Sequence, residues 1–142
     1  MQTFLPYPDF VESARVLDQA RLGKQRVEAL QVLRAVTIPT YGWRNHPAAK
    51  MWRGHVPSLA EYALAMTDEW IAQGHPDTVR EQLLEFVGSP VIAPPWLGDE
   101  AFHRSHQSNL IRKDPEFYTP LFPGVPDGLP YVWPSSSGVP TP

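Results

Sequence analysis

Apolar residues recur at helical spacing in several stretches of this chain, separated by proline and glycine punctuation, and the pattern predicts an all-α domain. Asp9, followed three residues later by Glu12, marks a helix start. The segment from about 10 to 36 is rich in good helix formers, with Gly23 its only breaker. Asp18 could open a second helix inside it, so one or two helices fit. Pro39 and Gly42 end the segment. Pro47 suits the first position of a short helix, capped by Asn45 or His46 and stopped at Gly54. Ser58 and Glu61 form an S-x-x-E box for a helix over 59–73, ended by Gly74. Leu59, Tyr62, Ala63, Met66 and Trp70 should face the core from it. Asp77 or Thr78 caps a short helix through Phe86, and Asp99 caps one reaching about Lys113. Between them Pro90, Pro94 and Pro95 mark a loop.

The last part has a different composition. Eight prolines fall between Pro115 and Pro142, which predicts an irregular segment laid over the domain. Phe117, Tyr118, Phe122, Tyr131 and Trp133 are its expected anchors. The whole reads as a compact single domain, 1–134, around a central long helix, with a Pro-rich irregular C-terminal segment and a disordered tail over 135–142.

Residues 16–36, plotted at about 100° per residue, show two apolar stripes. Val16, Ala20, Val27 and Leu30 form one; Leu22, Ala29, Leu33 and Val36 form the other. A surface helix needs one stripe, so two predict a helix packed on both sides. Between them runs a polar strip of Asp18, Arg21, Gln25 and Glu28, with Lys24 at its edge. Two readings stay open for it. One is a solvated groove edge with ordinary ion pairs. The other is a catalytic floor, where partial burial perturbs the carboxylate and the lysine.

Charge adds a bias along the chain. The net charge is −3, yet Arg15–His55 holds eight Lys/Arg and two acids, a net of +6 against −9 for the remainder. A basic segment in an acidic chain can present a one-sided footprint for nucleic acid. Arg44, Asn45, His46, Lys50 and Arg53, interleaved with Trp43 and Trp52, suit phosphate contacts plus stacking. The alternative is core tryptophans with solvated charges.

Other classes drop out. The chain has no Cys, which excludes disulfides and thiolate metal sites. No apolar run approaches the ~18 residues a membrane span needs, and the start, MQTFLPYPDF, lacks signal-peptide character, so a cytoplasmic protein is expected. His103 and His106 are three apart on a helix, with His46 and His55 elsewhere, but no H-E-x-x-H pattern accompanies them. No metal and no cofactor are expected.

The ordered series of segments resembles the pyrimidine-dimer DNA glycosylases of the phage endonuclease V type. LDQARLGKQRVEALQVLRAV (17–36) is similar to that family's first long helix, with its Asp-Gln pair and, after one added residue, its glutamate at Glu28. HVPSLAEYALAMTDEWIAQGHPDT (55–78) resembles the second long helix, and HRSHQSNLIRKDPEFYTPLF (103–122) the last helix with its aromatic tail. The resemblance implies that an N-terminal amine attacks C1′ of a damaged nucleotide. An imine forms, the base leaves, and β-elimination can nick the strand. An α-amine has a pKa near ~8, so part of it is neutral at pH 7. The glutamate stabilises the cationic sugar and moves protons.

This chain departs from the family at several positions. Gln2 stands where a small residue is exposed by removal of the initiator Met, so the amine implied here is that of Met1. Val27 replaces the Arg before the glutamate, with Arg26 one position earlier, and Arg21 stands where the family has a His.

The resemblance thus implies Glu28 as acid/base and Met1 as nucleophile; Lys24, four residues before Glu28, is either a second imine-forming amine or its partner in an ordinary helix ion pair. Arg21, Gln25, Arg26, Arg44, Asn45, His46, Lys50 and Arg53 would position DNA or nucleotide. The expected function is a DNA N-glycosylase, with possible lyase activity, on damaged or modified pyrimidines, acting as a monomer. Two alternatives remain: a non-catalytic nucleic-acid or nucleotide-binding module, and a hydrolytic glycosidase on small nucleosides or nucleotides.

Overall fold

Local capping sets most helix starts. In the computed structural model, which describes residues 1–134, the Asp9 carboxylate accepts the Glu12 amide at 2.9 Å and opens α1 (Phe10–Val16). The Asp18 carboxylate accepts the Arg21 amide at 3.3 Å and opens α2 (Gln19–Thr37), so two helices fill this stretch. His46 Nδ1 accepts the Ala48 amide at 3.0 Å, with Pro47 in the first turn of α3 (Pro47–Trp52). Next come α4 (Val56–Ala72) and α5 (Arg80–Leu83), the latter continued by a 3₁₀ turn over Leu84–Phe86. Asp99 caps α6 (Glu100–Lys113), and α7 (Pro115–Tyr118) follows directly. The tail expected over 135–142 lies outside the described residues.

Three local expectations need correcting. First, α4 starts at Val56, not at 59, and Ser58 is buried inside its first turn instead of capping it. Pro57 explains the shift, because its fixed φ and missing N–H suit a first turn. Second, 115–118 is helical where irregular chain was expected. Pro115 again opens the turn, and the Asp114 carboxylate accepts the Phe117 amide at 3.3 Å. Third, Phe117 is 43% exposed and, among the rings of the described residues, meets only that of its neighbour Tyr118, whereas Tyr118 and Phe122 are buried and stack with centroids 6.0 Å apart.

The core forms where α2 packs on α4, with α1 on α4 and α3 on α2. Leu22, Ala29, Val32 and Leu33 from α2 meet Leu59, Ala63 and Met66 from α4. Gly23 is a packing site here. A Cβ there would lie 2.8 Å from the Trp70 ring, so glycine is what lets the indole lie against α2. Only one apolar stripe of α2 is buried throughout; of the other, Leu30 is buried, but Val27 is 39% exposed and Ala20 is exposed too. The second buried surface of α2 is polar, because Gln25 is only 2% exposed, and the first residues of the chain cover it. No strand occurs among the described residues, and no helix there is long and apolar enough to cross a membrane.

Candidate active site

A chain terminus usually frays, because nothing repays the ordering of its backbone. Here residues 2–5 are buried, so their main-chain polar groups need partners inside the protein. Side chains from several helices supply them. Gln25 uses its whole amide: Oε1 accepts the Phe4 N–H at 2.8 Å, and Nε2 donates to the Gln2 carbonyl at 2.9 Å and to Glu28 Oε2 at 3.0 Å. The Tyr62 hydroxyl of α4 lies 2.8 Å from both Phe4 O and Gln25 Oε1. Burial, then Glu28, holds that phenol well above its ordinary pKa, so it remains a donor. Trp52 Nε1 of α3 donates to Thr3 Oγ1 at 2.9 Å. From α6, Gln107 Nε2 reaches the Pro6 carbonyl at 2.8 Å, and His103 and His106 bond Leu5.

This threading delivers the terminus to Glu28. The Gln2 N–H donates to Glu28 Oε2 at 3.3 Å, and Met1 lies one residue beyond. Glu28 Oε1 faces Lys24 Nζ at 3.9 Å. The Glu28 side chain is 15% exposed, whereas that of Lys24 is 75% exposed, which is the geometry of a surface ion pair on the lysine's side.

Around these groups opens a cleft of about 450 Å³, within the range of small-ligand sites. Met1, Gln2, Arg21, Lys24, Gln25 and Glu28 line it together with Lys113, Tyr131 and Trp133. Arg21 is held by Asp18 at 3.1 Å and lies 6.0 Å over the Tyr118 ring. Burial works to raise the Asp18 pKa, but bonds from Tyr118 and Arg21 outweigh it and hold it below its ordinary value.

The remaining sequence candidates separate. His46 caps α3 and meets the Trp133 ring at 6.0 Å, at the cleft's edge. Burial, then the N-terminal ammonium, lowers its pKa, while Glu28 pulls the other way. Arg44, Asn45 and Arg53 line a separate shallow cleft of about 280 Å³ beside the end of α2, and Lys50 is exposed on α3. Arg26 does not line the cleft; it pairs with Asp77 at 2.5 Å and lies 4.9 Å over Trp70. Sequence reasoning missed Lys113 and took Tyr131 and Trp133 as anchors only. The signal was their short i, i+2 spacing, which puts both rings on one side of an extended segment.

The arrangement can offer a planar ring contact with Tyr131 and Trp133, whose rings are tilted with centroids 5.5 Å apart, bind an anionic group on Arg21, Lys24 and Lys113, and bring a carboxylate and the first residue of the chain to one cleft. His103 and His106 hold main chain. Among the described residues no cluster of His, Cys, Asp or Glu has metal-binding geometry. A family model described as pyrimidine dimer DNA glycosylase matches residues 1–82. No curated protein and no solved structure matches the chain.

Proposed function

The chain belongs to the pyrimidine dimer DNA glycosylase family, and from that premise we propose that it is a DNA N-glycosylase with AP-lyase activity toward damaged or modified pyrimidines. The observation that carries the reading is the Gln2 N–H to Glu28 contact at 3.3 Å, at the head of a buried terminal segment. A protein that needed Glu28 only for solubility would have no reason to thread its terminus through the core to meet it.

In the proposed reaction the neutral Met1 amine attacks C1′ of the target nucleotide. The glycosidic C1′–N bond breaks, its electron pair leaves with the base, and the base takes a proton. Opening of the sugar ring gives an iminium between Met1 and C1′. Glu28 stabilises the positive charge developing on the sugar and passes protons to and from the oxygen and nitrogen atoms. Removal of a C2′ proton expels the 3′-phosphate by β-elimination and nicks the strand; water then hydrolyses the imine and frees the amine. The target must leave the helix stack to enter the cleft, so Tyr131 and Trp133 offer it new ring contacts, and Arg21, Lys24 and Lys113 hold the distorted backbone. Arg44, Lys50 and Arg53 extend the cationic contact along the duplex, with Asn45 and His46 as uncharged hydrogen-bonding partners.

Duplexes carrying either a cyclobutane dimer or an abasic site test the reading. The parent is expected to break a glycosyl bond of the first, the freed base staying tethered through the cyclobutane ring until photoreversal releases it, and to nick both. Glu28→Gln should lose about 10²- to 10⁴-fold in rate while still binding DNA. Equal rates for parent and variant would remove Glu28 from the mechanism. Salt-sensitive binding by both with no turnover by the parent would make the protein a binding module.

A further inference from the structure

Helix α6 carries a buried face that the proposed mechanism does not use, and that face is polar, with His103, Ser105, His106, Ser108 and Asn109 all buried. The two histidines meet a single residue from both sides. The Leu5 N–H donates to His106 Nδ1 at 2.9 Å, and His103 Nδ1 lies 2.8 Å from the Leu5 carbonyl. Main-chain donors assign the tautomers. The Gly98 N–H occupies His103 Nε2 at 2.9 Å, so the His103 proton sits on Nδ1 and goes to Leu5 O. His106 accepts at Nδ1, so its proton is on Nε2.

We propose that His103 and His106 are positioning residues for the terminal amine, acting through the main chain of Leu5; the inference rests on the amine reading above. The lock is specific for register. Sliding the segment by one residue in one direction would set Pro6, which has no N–H, against His106 Nδ1, and in the other would take the Phe4 N–H from Gln25. From Leu5 the chain runs to Met1 over about 13 Å when extended, with Gln25 holding Phe4 and Gln2 on the way. An error at Leu5 is therefore passed to the amine.

Stability alone does not call for histidine at 106. Its Nε2 has no hydrogen-bond partner among the described residues, and Phe4, Phe102 and Tyr131 surround the ring at centroid distances of 6.1, 4.5 and 5.6 Å. A buried N–H without a partner is destabilising, and what the ring supplies in return is one acceptor for Leu5. Burial keeps both rings neutral, as the lock requires, with the His106 pKa down to about 3.

The lock is tested first in the parent, by amide hydrogen exchange. The Leu5 N–H is expected to be protected like the core of α4; exchange at the rate of a frayed terminus would overturn the proposal without any variant. The second test compares His106→Leu, which has no acceptor, with His106→Asn, whose Oδ1 takes the place of Nδ1. Trapping of the imine by borohydride on abasic DNA should slow by about 10- to 100-fold in His106→Leu, with DNA affinity unchanged, and His106→Asn should recover most of it. Equal rates in the parent and a folded His106→Leu, or no recovery by Asn, would overturn the proposal.

A readout independent of DNA separates this inference from the reading it rests on. After reductive methylation with ¹³C-formaldehyde, the Met1 amine resonance in the parent should move on Glu28→Gln substitution. That response should vanish in the His106→Leu background and persist in His106→Asn. Loss of trapping in the parent with this pattern intact would refute the imine reaction and leave the positioning role standing. An unchanged response in His106→Leu would refute the positioning role.

Discussion

Two parts of the molecule approach the proposed substrate in opposite ways. The first six residues are apolar or neutral, yet side chains from α2, α3, α4 and α6 bond this segment at 2.8–2.9 Å. The segment from Arg44 to Arg53 carries four charged or amide side chains, Arg44, Asn45, Lys50 and Arg53, and all four are exposed. One of them is tied locally, by an Arg53 guanidinium bond to the Arg44 carbonyl at 2.5 Å. The contrast follows from what each task tolerates. Covalent attack needs reacting atoms held to a fraction of an ångström, and main chain pinned by buried partners supplies that. Attraction of a phosphate backbone falls off gently with distance, so mobile cations on a surface suffice.

Breaking the first part should have the largest effect. Gln25→Leu leaves the Phe4 N–H and the Gln2 carbonyl without their partner in a buried site. Each unsatisfied group costs about 1–3 kcal/mol, so a loss of several kcal/mol is expected by urea denaturation, together with loss of nicking. A variant that unfolds at the parent's urea midpoint would contradict this account of the terminus.

Acid sharpens the comparison from the same side. His46, His103 and His106 all have folded pKa values below that of the unfolded chain. The unfolded state therefore binds more protons once pH drops below about 6.5. Stability is fully present above that pH and is lost as pH falls, at about 1.4 kcal/mol per pH unit for His106 until its folded value near 3 is reached. The thermal midpoint should fall steadily from pH 6.5 to 4, and more shallowly in His106→Asn. A flat profile would mean that the ring is not held neutral.

The smallest effect on stability belongs to the second part. Arg44→Ala combined with Arg53→Ala should leave the urea midpoint within about 0.5 kcal/mol of the parent, because both side chains are exposed. DNA affinity should fall for every sequence alike, and the slope of log K against log salt should drop by about 0.9 for each phosphate that the variant no longer neutralises. An unchanged slope would place the DNA elsewhere.

Much of the helical framework was legible because its determinants are local. Asp9, Asp18, His46 and Asp99 each bond an amide two or three residues ahead, and such signals stand in the sequence itself. Glu28 could be picked out by its place on a polar strip and by family resemblance. The role of Gln25 could not, since its partners lie 21 and 23 residues away in an extended terminus with no periodicity. The same holds for His106, whose partner is 101 residues distant. Nothing in the sequence marks Ser105, Ser108 and Asn109 as buried. They are buried because they bond the main chain of 129–132, the segment that brings Tyr131 and Trp133 to the cleft. The direction of Arg26 was hidden for a similar reason: one residue from the site strip, it pairs with Asp77, 51 residues away. Helical wheels find stripes, but they do not say whether solvent, a neighbouring helix or extended chain covers them.

The most direct test of a terminal amine poised at Glu28 is borohydride trapping on an abasic oligonucleotide, followed by proteolysis and mass spectrometry of the cross-linked peptide. The expected adduct is on the N-terminal peptide, at Met1, and its formation slows sharply in Glu28→Gln. An adduct at Lys24, or none at all under conditions where the DNA is bound, would contradict it.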